Sequence, residues 1–142
     1  MPISAEHAGR TYPPAPAYRV SRAKIAEFAR ALQDDNPAYF SDHPIAPPTF
    51  AAVIAAQAWA AIFGDEELGL ALHRTVHADQ KFDFHRPLRE DDDVVAQLTI
   101  ERVRSRGSLD IVTILVVLTV SGEPVCDARS TLMHNREESV DE

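Results

Sequence analysis

From Phe50 to Phe63 a single polar residue, Gln57, interrupts an otherwise apolar run. Pro48, just ahead, suits the first turn of a helix, where a missing N–H has no intrahelical use. Gly64 suits its end. The run predicts one long helix from about Pro48 to Phe63. A helix that is apolar on nearly every side is buried on nearly every side. The rest of the chain must supply what wraps it, and this constrains the fold more than any other feature.

Strand patterns follow the helix. Residues Leu72 to Phe84 alternate, with Leu72, Val76, Ala78, Phe82 and Phe84 on one face. His73, Thr75, His77, Asp79, Lys81 and Asp83 fall on the other. Val94, Ala96, Leu98 and Ile100 form the apolar face of a strand reaching Val103. Leu109 to Val120 is apolar on both faces, as a central, doubly covered strand would be. Val125 to His134 is a last strand with Cys126, Ala128 and Leu132 on one face. Gly107-Ser108 and Ser121-Gly122-Glu123-Pro124 are the turns between them. Close sequential strands make an antiparallel meander the simplest topology. Ahead of the long helix, Ala17 to Val20 reads as a short strand. Ser21 reads as an N-cap for an amphipathic helix from Arg22 to about Gln33, with Ile25, Phe28, Ala29 and Leu32 on one face. The prediction is an α+β fold, an antiparallel sheet wrapped around one buried helix. Such a layer leaves a sheet edge open, so a stable monomer is not expected.

Composition removes several function classes. The 142 residues predict one domain, residues 1–142, with an acidic, disordered tail over 136–142. The net charge of −8 argues against nucleic acid or an anionic membrane as partner. No apolar run reaches the length of a membrane span, and the N-terminus has no signal-peptide pattern. The lone Cys126 fits a reducing cytoplasm. His7, His43, His73, His77, His85 and His134 match no zinc spacing, so neither metal nor cofactor is expected. Asp91-Asp92-Asp93 reads as a solvated turn.

The chemistry-bearing segment is Asp34-Asp35-Asn36-Pro37-Ala38-Tyr39, followed by Ile45-Ala46-Pro47-Pro48-Thr49-Phe50. Read plainly, Asp34 and Asn36 are turn formers at a helix exit, Tyr39 is a wall aromatic, and Pro47-Pro48 starts a helix. His77 and Asp79 read as a solvated pair. Gln80, on the apolar face, needs a hydrogen-bond partner or a ligand. Trp59 and Phe63 read as core.

These two segments resemble the active-site pattern of the MaoC-like, R-specific hydratase and dehydratase family. That pattern reads D-x-N-P-x-H and then I-A-H-G. The likeness extends from about Tyr12 to Leu132 through Tyr18-Arg19-Val20, Lys24 to Ala29, His77 to Phe82 and Arg86-Pro87-Leu88. It is nearest to the non-catalytic A-type subunits of actinobacterial (3R)-hydroxyacyl-ACP dehydratases, with their FAS1-like dehydratase domain. The resemblance implies the hot dog fold, which the order of elements alone does not single out among α+β folds. It implies catalytic positions at Asp34 and Asn36, and substrate contacts at Tyr39, Thr49, Trp59 and Gln80. It also implies an acyl-ACP or acyl-CoA thioester as ligand.

The chain departs from the pattern where the chemistry is done. Tyr39 stands at the family histidine, and an unperturbed phenol does not cycle protons near neutrality as imidazole does. Pro48 stands at the glycine whose N–H holds the thioester oxygen, and proline has none. Only Phe40 to Pro44 separates Tyr39 from Ile45, a shorter segment than relatives carry. The leading reading is therefore an acyl-binding subunit paired with a second chain that keeps an intact Asp/His pair. A homodimeric thioester-binding protein, or a self-sufficient hydratase using His43, remain as alternatives.

Overall fold

The structure is a computed structural model and describes residues 2–136. Its first regular element, β1 (Tyr18–Arg19), leads into helix α1 (Arg22–Ala31). Ser21 caps that helix, its side chain accepting from the Lys24 N–H at 3.1 Å. The helix ends two residues before the predicted Gln33 because Gln33 turns left-handed, at φ 57°. The Asp34 N–H then returns to the Ala29 carbonyl and the Gln33 N–H to that of Arg30. This is the pair of bonds that closes a helix when the residue past its cap is left-handed.

The long apolar run becomes a 3-10 turn (Pro48–Phe50), helix α2 (Ala51–Gln57) and a short helix α3 (Ala60–Phe63). The predicted single helix is thus corrected. Its hydrogen bonds tighten to three-residue spacing at Ala58, Trp59, Ala61 and Ile62. It is also not buried all round. Phe50, Ala51, Ile54, Ala55, Ala58 and Ile62 are enclosed, whereas Val53, Ala56, Gln57 and Ala60 are exposed. Alanine is the best helix former and tolerates water, so an alanine-rich run overstates burial.

Strands β2 (Thr75–Phe84), β3 (Asp93–Arg106), β4 (Leu109–Val120) and β5 (Glu123–Asn135) complete one antiparallel sheet in the order β1-β3-β4-β5-β2. Strands β3 to β5 form the predicted meander. The turn between β4 and β5 places Ser121 and Gly122 at φ 51° and 80°, the two left-handed residues of a tight hairpin. Strand β2 departs from the meander: it crosses to the far side and pairs with β5, not β3. The concave face of the sheet carries Val94, Ala96, Leu98 and Ile100, then Val112, Ile114, Val116 and Leu118, then Cys126, Ala128 and Leu132. All are enclosed. This curled sheet against a central helix is the hot dog fold.

Within β2 the alternation breaks. A bulge between His77 and Asp79 inserts Ala78, so His77 pairs with Leu132 and Gln80 with Ser130. Partners directly opposite share a face, so His77 lies on the same face as Leu132 and against Trp59, while remaining exposed to solvent as the alternation predicts. Val76, expected inside, pairs with Met133 on the outer face.

The two sheet edges are treated differently. Residues 9–15 run along β3, donating from Gly9 to Ile100, Tyr12 to Leu98 and Ala15 to Ala96. This strap is pinned by Arg10 and Tyr12, both donating to Asp65, at 2.8 and 2.6 Å. Strand β2 has no such cover among the described residues, and Leu72 and Val76 beside it are 67% and 64% exposed. Arg136 is tied back, its N–H donating to the Ser108 carbonyl at 2.8 Å. The remainder of the predicted acidic tail lies outside the described residues. No described helix is long and apolar enough to cross a membrane.

Two predictions follow from these contacts. Gln33→Gly removes a left-handed strain and should add about 0.5–1 kcal/mol of stability, read as a rise in thermal midpoint. The Tyr12 hydroxyl above all, and Arg10 with it, hold the Asp65 carboxyl below its ordinary range. The stability this provides is complete above the ordinary carboxylate value and is lost as pH falls through the lower folded one. Asp65→Asn should therefore lower the melting temperature at neutral pH and match the parent in strong acid.

Candidate active site and its relatives

The segment after α1 folds back through its own polar side chains. Asp34 Oδ1 accepts from the Asn36 N–H at 3.1 Å, and Asn36 Oδ1 from the Ala38 N–H at 3.0 Å. The 3-10 turn Pro37–Tyr39 follows, and it buries the Tyr39 ring. Backbone bonds then fix the descent to the long helix. The Ile45 N–H meets the Ala38 carbonyl, and the Ala46 N–H meets that of Leu88 at 2.7 Å. These bonds set Pro47-Pro48 beside the chain leaving β2.

The result is a cleft of about 410 Å³ lined by Asn36, Tyr39, Ile45, Ala46, Pro48, Phe84, His85, Arg86 and Pro87. Its floor is rigid. Arg86 grips Asp92 with both terminal nitrogens, at 2.8 and 3.1 Å, and the same carboxylate accepts from the Arg89 N–H at 2.8 Å. The Asp92 hydrogen bonds raise the Arg86 pKa above its usual value. The acidic run is therefore more than a solvated turn, since Asp91 and Asp93 also lie 3.5 and 3.3 Å from Arg19. Phe50, fully enclosed, stacks edge-on against Phe28 at 5.2 Å and Tyr18 at 6.0 Å. Those contacts bind α1 and β1 to the helix start.

Of the residues singled out in the sequence, Asn36 and Tyr39 meet in this cleft, with Pro48 opposite. Asp34 is spent on its turn and Thr49 is exposed beside the cleft. Thr49 is also the first residue past the two prolines to carry an N–H, and the Phe50 N–H after it already donates to the Pro47 carbonyl at 2.9 Å. His43 sits apart, in a hollow with Pro44, Arg89, Glu90 and Asp91. Trp59 and Gln80 belong to a second group under β2, with His77 and Ser130.

The imidazole that lines the cleft is His85, which the sequence reading passed over. Its Nε2 lies 3.8 Å from Asp127, and the His85 backbone N–H donates to the Val125 carbonyl. The available signal was its place at the end of β2, beside Arg86-Pro87. No described cluster of His, Cys, Asp and Glu has the makings of a metal site.

The family model for the FAS1-like dehydratase domain region matches residues 6–128. The chain belongs to that family. It is 52% identical over 139 residues to a UPF0336 protein of Cutibacterium acnes, covering 97% of this chain and 98% of that one. A similar protein of Saccharopolyspora erythraea is 41% identical, covering 94% and 92%. Among solved structures, a chain of the HadBC (3R-hydroxyacyl-ACP dehydratase) complex of Mycobacterium tuberculosis superposes with TM-score 0.78. It is 33% identical, over 89% of this chain and 96% of that one. A MaoC-like dehydratase also scores 0.78, at 23% identity over 92% of this chain and 42% of its own, and shows the shared hot dog fold.

Cys126, enclosed behind the cleft opposite Phe84, supplies a test of this packing. Burial first, then the charges of Asp127 and Asp83, push its thiol up to about 12. It should resist Ellman's reagent at neutral pH in the folded protein and titrate fully after denaturation.

Proposed function

We propose that this chain is the acyl-binding subunit of a cytoplasmic (3R)-hydroxyacyl-thioester dehydratase, acting on thioesters of ACP or CoA beside a second, catalytic chain. The observation that carries the reading is the cleft itself. It keeps Asn36 and the walls of a thioester site, but presents the Tyr39 phenol and the Pro48 ring where the family pattern has imidazole and an N–H donor. Dehydration needs a base for the α-proton and a donor for the oxygen that gains charge. Loss of one such donor costs about two to three orders of magnitude in rate. Loss of the base compounds it. A partner with an intact Asp/His pair and the A-H-G helix start supplies both.

Two further features support a partner. A chain of a (3R)-hydroxyacyl-ACP dehydratase complex is 33% identical over 89% of this chain. The strap over β3 leaves β2 as the exposed edge, with Leu72 and Val76 alongside. An uncovered edge strand with apolar neighbours favours continuation of the sheet into another subunit. A homodimeric thioester-binding protein would use the same edge. A self-sufficient hydratase is the second reading, and the placement of His85 in the cleft favours it over the distant His43.

Co-expression with a hydratase subunit that carries the unbroken D-x-N-P-x-H and A-H-G pattern, then co-purification and an enoyl-CoA hydration assay, separates these readings. The expected result is a stable complex whose rate exceeds that of the chain alone by about a hundredfold or more. Comparable turnover by the chain alone, abolished by His85→Ala or His43→Ala, would overturn the subunit reading. Failure to form any complex, with a homodimer that binds enoyl-CoA without turnover, would leave the thioester-binding protein.

A further inference from the structure

The helix-facing side of β2 changes character along its length. At the cleft, Phe84 and Phe82 stand with rings 5.9 Å apart. On the same face follow Gln80 and, past the bulge, His77. A strand rise of about 3.3 Å per residue puts Gln80 roughly 13 Å from Phe84. Gln80 Oε1 accepts from the buried Ser130 hydroxyl at 2.5 Å and lies 3.1 Å from His77 Nε2, while Gln80 Nε2 donates to the Lys81 carbonyl at 3.3 Å. With Oε1 as acceptor, His77 Nε2 carries the proton and Nδ1 keeps its lone pair. The Trp59 indole stands edge-on to this imidazole at 4.9 Å. Its Nε1 is buried and has no hydrogen-bond partner among the described residues.

This grouping is not what packing alone would produce. A buried N–H without an acceptor costs about 1–3 kcal/mol. The bulge at Ala78 interrupts the ladder, and it is this interruption that turns the imidazole toward the helix. A buried, unpartnered donor on Trp59 and a solvent-exposed imidazole on His77 thus share one ring contact, on the strand face that carries Phe82 and Phe84 up to the cleft.

We propose that Trp59 and His77, braced by Gln80 and Ser130, form a hydrogen-bonding site for a hydroxyl group carried on the acyl chain, separated from the thioester by an apolar stem. The indole N–H donates to the hydroxyl oxygen, and the hydroxyl hydrogen goes to His77 Nδ1. The stem lies along Phe84 and Phe82, with the thioester in the cleft. The amide-bearing arm of the carrier is a poor occupant, because its polar groups would have to cross the two phenylalanines. This inference rests on the acyl-thioester reading above and adds to it the class of acyl chain selected.

Isothermal titration of the purified chain, with any hydratase subunit that co-purifies, tests it. The ligands are saturated acyl-CoAs from octanoyl to tetradecanoyl and their ω-hydroxy counterparts. The expected result is a preference of about tenfold for the ω-hydroxy form at one or two chain lengths, the worth of about one hydrogen bond. Trp59→Phe should erase the preference, read as the ratio of the ω-hydroxy to the plain acyl-CoA affinity, whatever it does to binding of the plain acyl-CoA. His77→Phe keeps the ring contact, should do the same, and serves if the first variant is unstable by circular dichroism. Equal affinity at every length, or a preference that survives both substitutions, overturns the inference while the acyl-thioester reading stands. Absence of binding by both ligand series overturns the two together.

Discussion

Everything in this molecule hangs on the seating of one narrow helical face in a curled sheet. Ala51, Ala55 and Ala58 let α2 approach closely, and Phe50, Ile54 and Ile62 fill what remains. The concave face offers medium-sized branched residues on β3 and β4, with Ala128 and Leu132 on β5. Burial of a side chain of the Leu or Ile class is worth about 1.5–3 kcal/mol. Among the described residues no comparably enclosed apolar layer backs the other side of α2, where Val53 and Gln57 face outward. The same seating fixes the site, because the helix start is also a wall of the cleft.

The geometry separates two jobs that an intact family member combines. Positioning survives: the Asp34–Asn36 turn, the Ala46–Leu88 bond and the Arg86–Asp92 clasp hold the cleft in shape. Proton transfer and oxyanion support at the family positions do not, since a phenol and a proline ring occupy them. Retention of the scaffold with replacement of those residues is what supports the subunit reading proposed above.

Much of this was legible in the residues. Strand β4 matches its predicted span from Leu109 to Val120, and Ser21 caps α1 as expected, because both signals are local. The D-x-N-P segment and the helix start were recognisable in sequence, and the fold brings Asn36, Tyr39 and Pro48 into one cleft. Misreadings came where a local rule was overridden. Alanine was counted as core although half the helix lies open. Strict alternation was carried through β2, and a one-residue bulge put Val76 on the outer face and His77 against Trp59, although His77 stays exposed. His85 was overlooked because nothing adjacent in sequence marks it.

The sequence by itself determined most of the elements and the family pattern, with Tyr39 and Pro48 standing at two of its positions, since each of these is written in residue types at short spacing. Only the tertiary structure decided the crossing of β2 to β5, the covering of one sheet edge by residues 9–15, and the meeting of His85 with Tyr39. Those outcomes depend on pairings between residues far apart in the chain. No local propensity selects among such pairings; the shared burial of one helix and one sheet does.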